Sequence, residues 1–261
     1  MTTPFESPLF VKSVEKAFAV LKVFSRSAQS LGLGEIAQRA DLDKSAAQRF
    51  VHTLLALGYL QREQRTRSYR LSPRILEFGF AYLDMDPLIA ATQEPLRDLH
   101  DSTGEAISLA RLDDKDIILV ARWPSKKIIT VNVRVGSRLP ALYMASGRVL
   151  VAARPDLEQE RILAETELRA HTSLSITRRD DMRRELRKVR EQGYCVTRSQ
   201  FFMGDFSVAA PIVDASGQTV ASVSVNIVDV GGVNVAREKQ LRKAVIASAV
   251  ASTQLFAPAE T

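Results

Sequence analysis

The spacing of apolar residues changes near residue 105, and that change limits the fold more than any other feature. Up to about residue 103 the apolar positions recur mostly at three- and four-residue intervals. From Glu105 they alternate instead, in AISLARL, DIILVAR and KIITVNV, and later in GYCVTR, FSVAAPIVD and TVASVSVNIV. A period near 3.6 makes an amphipathic helix and a period of two makes a strand buried on one face; neither pattern can serve as the other. With 261 residues the chain has room for two ordinary domains. A helical first part and a sheet-containing second part follow.

In the first part, SVEKAFAVLKVFS (residues 13–25) sets Val14, Phe18, Leu21 and Phe24 at helical spacing, and GEIAQRA (34–40) is a short helix with Ile36 and Ala37 inward. Asp41 and Leu42 form a tight turn. DKSAAQRFVHTLLALGYL (43–60) is the next helix, with Asp43 as cap and Gly58 as stop. This is the helix-turn-helix order, in which the second helix presents its first residues to base edges. Those residues are Lys44, Ser45, Ala46, Gln48 and Arg49, with His52 one turn on. A merely solvated helix face accounts for such a polar stripe too. Solvated faces mix Glu with Lys, however, and this one has no carboxylate after Asp43; a face set against phosphates excludes carboxylates. In LQREQRTRSYRLS (60–72), Leu60, Tyr69 and Leu71 are strand positions, and the hairpin carries Arg62, Arg65 and Arg67, suited to phosphates or a minor groove. Residues 1–80 hold 12 Lys and Arg against 7 Asp and Glu, a balance of +5; residues 81–261 hold 24 against 23. The excess charge therefore lies on the small module.

Pro73 opens a helix, RILEFGFAYLDMD, and Pro87 restarts the chain in another that runs past Pro95. Further helices are expected over 145–152, 157–165, 177–192 (opened by a capping box at Thr177–Arg178–Arg179–Asp180) and 234–256. A hairpin turn is expected at Ala215–Ser216–Gly217. Six strands with helices before, between and after them make one α/β sheet domain.

The second part lacks GxxxxGK[ST], GxGxxG and GxSxG. His100 and His171 have no evident serine or cysteine partner. Cys195, the single cysteine, reads as a buried small residue, which leaves no internal disulfide and no zinc set. No catalytic residue, metal or cofactor is expected. A small-molecule pocket fits better. Leu142, Tyr143 and Met144 are apolar, and Ser146 and Gly147 start a helix whose free amides favour an anion. Ser207 adds a small polar group. Ser222, Ser224 and Asn226 share one strand face, which lines a pocket or simply meets solvent. Phe201, Phe202 and Met203 suit an aromatic or short apolar acid, or equally the core or a subunit contact. No apolar run spans a membrane and MTTPFESPLF lacks the features of a signal peptide, so a cytoplasmic protein is expected.

The runs SVEKAFAVLKVF, LGEIAQRADLDKSAAQRFVHTLLALGYLQRE, SYRLSPRILEFG, GSRLPALYMASGRVLVA and EQGYCVTRSQFFMGDFSVAAPIVDASGQTVASVSVN resemble, in order and over residues 11–256, the IclR-type bacterial transcriptional regulators. The resemblance implies a winged helix-turn-helix domain (1–72), a linker helix that helps pair two subunits (73–86) and a GAF-like effector domain (87–261). Its effector-contacting positions fall on Thr197, Asp205, Ser207, Ser224 and Asn226. Gly32 stands where the family often has a capping Ser or Thr, Arg148 where Lys is common, Thr197 where Asp is frequent, Gln200 where Glu is common, and Ser207 where some members have Cys. The effector therefore differs from theirs. The expectation is a homodimer, or a tetramer, that binds palindromic double-stranded DNA and answers to a small organic acid, with no membrane partner. One rival is a regulator whose second domain is a ligand-free pairing scaffold. The other is an enzyme assembled by its winged helix, with Asp205 the lone strong titratable candidate.

Overall fold

The structure, a computed structural model, describes residues 7–25, 28–127, 133–229 and 232–256. The chain divides into two compact units, Met1–Tyr82 and Leu83–Thr261.

The first unit has helices α1 (Lys12–Lys22), α2 (Leu33–Arg39) and α3 (Lys44–Ala56), then a hairpin of β1 (Leu60–Arg62) and β2 (Tyr69–Leu71) in which Arg62 pairs with Tyr69. Val20, Ile36, Val51, Leu54 and Leu60 form its core. The Asp43 carboxylate accepts from the Ala46 amide at 2.8 Å and so caps α3. The helix gives way at Gly58, whose φ of +80° suits glycine. Gly32 has no side chain to cap α2, but its own amide donates to the Glu35 carboxylate at 2.8 Å, which supplies the other half of that reciprocal arrangement. Asp41, at φ +52°, turns the chain between α2 and α3. Helix α4 (Leu76–Met85) straddles the division; it buries no residue, and Leu76, Phe78 and Phe80 are all more than half exposed.

The second unit is one six-stranded antiparallel sheet in the order β5-β4-β3-β8-β7-β6. The strands are β3 (Ala106–Asp113), β4 (Asp116–Trp123), β5 (Arg138–Pro140), β6 (Cys195–Arg198), β7 (Asp205–Val213) and β8 (Thr219–Val228). Helices α5 (Pro87–Thr103) and α9 (Val235–Phe256) cover one face, packing Leu96, Leu99, Leu241 and Val245 onto Ile107, Val208, Val223 and Val225. Helices α6 (Ala145–Ala152), α7 (Asp156–Glu165) and α8 (Arg179–Gln192) cover the other, over Ala110, Ile117, Leu119 and Ala209. Strand residues one apart thus enter different cores, as alternation demands. Pro95 is tolerated inside α5, and its carbonyl accepts from the Ser248 hydroxyl at 3.1 Å.

Two expectations need correction and one falls elsewhere. No capping box opens α8: its N-cap is Arg178, with no side-chain cap, and the Asp180 carboxylate accepts instead from Arg183 at 2.6 Å. An arginine three residues on competes better for that carboxylate than a backbone amide. The pairing of β3 with β4 shifts register between Leu109 and Ala110, whose partners are Ala121 and Leu119, so Val120 is an extra residue in β4 and strict alternation fails there. The expected KIITVNV strand covers residues 127–133, of which 128–132 lie outside the described residues; the described neighbour of β4 is β5.

Candidate DNA-binding face and effector cleft

Helix α3 buries Ala47, Val51 and Leu54. The opposite side leaves Lys44, Ser45, Gln48, Arg49 and His52 exposed and Ala46 half-buried. Ser45, Gln48, Arg49 and His52 line an open concavity closed on its far side by Arg62 and Tyr69 of the hairpin. The Arg62 guanidinium lies 5.9 Å from the Tyr69 ring centre. Arg65 and Arg67 are exposed at the hairpin tip, where Glu63 organises the turn: its carboxylate accepts from Thr66 at 2.6 Å and its carbonyl from the Arg67 amide at 3.0 Å. On the other flank Lys12 and Lys16 of α1 stand beside Arg49. Sequence reading passed over these two lysines because a charge on the first helix has no periodic signature of its own.

The cations of the two units behave differently. In the second unit Arg138, Arg161, Arg183, Arg190, Arg198 and Arg237 all sit in ion pairs. In the first unit, among the described residues, only Arg74 does, with Glu77. Lys12, Lys16, Lys44, Arg49, Arg62, Arg65 and Arg67 form no salt bridge there. Unpaired cations on one surface are ready for phosphates without first breaking a protein contact.

The second unit contains a cleft of about 560 Å³, mouth included, between the sheet and the start of α6. Ile117, Leu119, Leu139, Met144, Phe202 and Ile227 give it apolar walls. Its floor is a connected polar row across four strands. Arg122 (β4) donates to the Ser108 hydroxyl (β3) at 2.8 Å. The Asn226 amide (β8) donates to Ser108 at 3.2 Å and to Ser224 at 3.1 Å, and Ser207 (β7) donates to the Asn226 carbonyl oxygen at 3.1 Å. Ser108 and Ser224 are buried, and Arg122, Ser207 and Asn226 are half-buried. Burial lowers the Arg122 pKa from its ordinary value, although guanidinium remains the charged form.

Of the residues expected at an effector site, Met144, Ser146, Asp205, Ser207, Ser224 and Asn226 line this cleft. Leu142, Tyr143, Gly147 and Thr197 do not. Leu142 is core, and its carbonyl accepts from Arg148 at 2.7 Å. The Tyr143 hydroxyl bonds the Arg169 carbonyl at 3.0 Å, its ring stacks edge-on to His171 at 4.7 Å, and burial raises its pKa. Gly147 is required by packing: a Cβ there would lie 2.1 Å from the Ala141 carbonyl oxygen. Thr197 is buried in β6 opposite Ser207. Of the loop aromatics, Phe202 lines the cleft while Phe201 turns to His171 at 4.5 Å, and Met203 is exposed. The two Asp205 oxygens accept from the Gln200 and Phe202 amides at 3.3 and 3.2 Å, which makes this residue the organiser of that loop.

Sequence reading missed Arg122 and Ser108. Counting by twos along β4 puts Arg122 on the face opposite Ile117 and Leu119. The extra residue Val120 returns it to their face, opposite Ser108. No composition signal announces that bulge.

Cys195 is fully buried and burial pushes its pKa up to about 12, so it is not a thiolate nucleophile. Among the described residues no group of three or more His, Cys, Asp or Glu is placed to hold a metal ion, and no helix is long and apolar enough to cross a membrane.

A winged helix-turn-helix followed by an α/β unit with a lined cleft defines a class, the bacterial transcriptional regulators that carry a separate sensory domain. Residues 13–64 match the description "IclR helix-turn-helix domain", and residues 80–253 match "Bacterial transcriptional regulator IclR C-terminal". The chain belongs to the IclR family and is a transcriptional regulator, not an enzyme. It is 35% identical over 220 residues to the Pca regulon regulatory protein of Pseudomonas putida, covering 84% of this chain and 75% of that one. It is 28% identical over 220 residues to the p-hydroxybenzoate hydroxylase transcriptional activator of Acinetobacter baylyi, covering 82% and 80%. The crystal structure of an IclR transcriptional regulator from Alicyclobacillus acidocaldarius superposes with a TM-score of 0.82 at 26% identity, over 95% of this chain and 99% of that one.

Proposed function

We propose that this regulator reads a palindromic operator through α3 and the hairpin, and that an organic acid held in the cleft of the second unit changes its affinity for that operator. Lys44, Ser45, Ala46, Gln48, Arg49 and His52 are the groove-facing residues of this reading. Arg62, Arg65 and Arg67 reach the backbone or minor groove from the hairpin. The single observation that carries the effector half is the hydrogen-bonded polar row, buried at Ser108 and Ser224, under apolar walls: polar groups held in place beneath an apolar roof recognise a molecule with one polar end. Phe202 and the likeness to the p-hydroxybenzoate hydroxylase transcriptional activator favour an aromatic acid.

Pairing of two copies supplies the second half-site. The exposed apolar residues Leu76, Phe78 and Phe80 of α4 support that helix as part of the pairing surface. The acid then shifts an equilibrium between subunit arrangements by its differential affinity for them.

The test is a thermal-shift screen against aromatic and aliphatic acids, followed by operator footprinting with and without each hit. A ligand of the folded state adds about 2.7 kcal/mol at a hundredfold excess over its Kd. A hit that raises Tm and alters the footprint supports the reading. If no acid does either, the second unit is a pairing scaffold.

A further inference from the structure

The cleft has one cation among its described lining residues, Arg122, and one carboxylate, Asp205. They stand on β4 and β7, three strand spacings apart in the order β4-β3-β8-β7. At about 4.8 Å per spacing, this gives the floor a positive end and a negative end. Both oxygens of Asp205 already accept loop amides.

Ser108 sits next to the cation. Its hydroxyl oxygen accepts twice, from Arg122 at 2.8 Å and from Asn226 at 3.2 Å. A hydroxyl has two acceptor positions and one proton. With both positions filled, its proton has no acceptor among the described residues. A buried hydroxyl arranged in this way has a donor to give.

We propose that Arg122 is the carboxylate anchor of the cleft, with the Ser108 hydroxyl as its partner donor. The acid lies with its carboxylate at the β3–β4 end and its apolar body against Met144 and Phe202. The reverse orientation sets the carboxylate beside Asp205. Among the described residues an anion at the start of α6 meets no side-chain cation on that helix, because Arg148 is buried and turned inward onto the Leu142 carbonyl and Gln200, each at 2.7 Å. The β-bulge at Val120 is what brings Arg122 to this face, so the bulge is a specificity device as well as a bend. The proposal rests on the cleft being the effector site.

The experiment is calorimetric titration of the full chain with benzoate, 4-hydroxybenzoate, hexanoate and adipate, each compared with its amide. The proteins are the wild type, R122Q, R122K, S108A and S224L, with Tm and operator binding as controls of folding. The expected result is acid binding by the wild type and none by S224L. R122Q should bind acids roughly ten- to a hundredfold more weakly, as for loss of a hydrogen bond to a charged group, and should lose the preference for acid over amide. R122K and S108A should be intermediate. If acids bind the wild type and S224L abolishes this, but R122Q keeps both affinity and preference, the anchor is wrong and the site stands. If R122Q does not fold, wild-type affinity in both R122K and S108A is the overturning result. If no acid binds the wild type, or if S224L still binds, the effector site itself falls and the anchor with it.

Discussion

Arg122 and Ser108 face one another across β3 and β4, the guanidinium donating to the hydroxyl at 2.8 Å. Two residues further down the ladder, Leu119 and Ala110 are paired on the same face. Between Leu119 and Arg122 lie two residues rather than one, and the extra residue aims a cation into the cleft. An apolar strand thereby contributes both to a core and to a binding floor.

Arg49 is exposed, and it borders both the concavity facing the hairpin and the recess beside Lys12 and Lys16. Arg49→Ala should cost about 1–3 kcal/mol of operator affinity and leave Tm and acid binding unchanged. Undiminished retardation in a gel shift removes Arg49 from the interface.

Arg65 and Arg67 are exposed and without salt bridges among the described residues, so their contribution should be mostly counterion release. Changing both to Ala should flatten the plot of log K against log salt by about 2 and weaken all sequences alike. A change in sequence preference with an unaltered slope would assign them to base reading instead.

Ser224 is 1% exposed and lines the floor of the cleft. Ser224→Leu fills the floor and removes the acceptor of one Asn226 amide proton. Effector response should vanish while operator binding persists. A normal response in footprinting would move the ligand elsewhere.

Gly147→Ala places a methyl 2.1 Å from the Ala141 carbonyl oxygen and 2.4 Å from its Cα, which are backbone atoms that cannot swing aside. Destabilisation of about 1–3 kcal/mol is expected, as for overpacking in general. The Tm should fall even without ligand, which distinguishes a packing glycine from a ligand contact.

Cys195 should be inert in the native state, since burial raises its pKa to about 12 and holds it as the neutral thiol throughout the usual range. Thiol titration with a chromogenic disulfide at pH 8 should find no reactive group until denaturant is added. Immediate reaction in native buffer would contradict the burial.

The sequence by itself determined the local elements. The Asp43 cap, the Gly58 stop, the helical stripe through Val51 and Leu54 and the alternation in β8 are all short-range patterns, and each is present. The first unit was the more legible because a helix-turn-helix is built from consecutive pieces. What only the tertiary structure decided was which side chains meet. Leu142 and Tyr143 are apolar and near the cleft in sequence, yet packing takes them into the core and onto His171. Arg122 and Asn226 are far apart in sequence, yet both donate to one serine because β4 and β8 flank β3. The Asp180 carboxylate chose a side chain three residues on over a cap. Periodicity records the local twist of the backbone; it holds no information about strand order or a one-residue bulge, and those set the floor of the cleft.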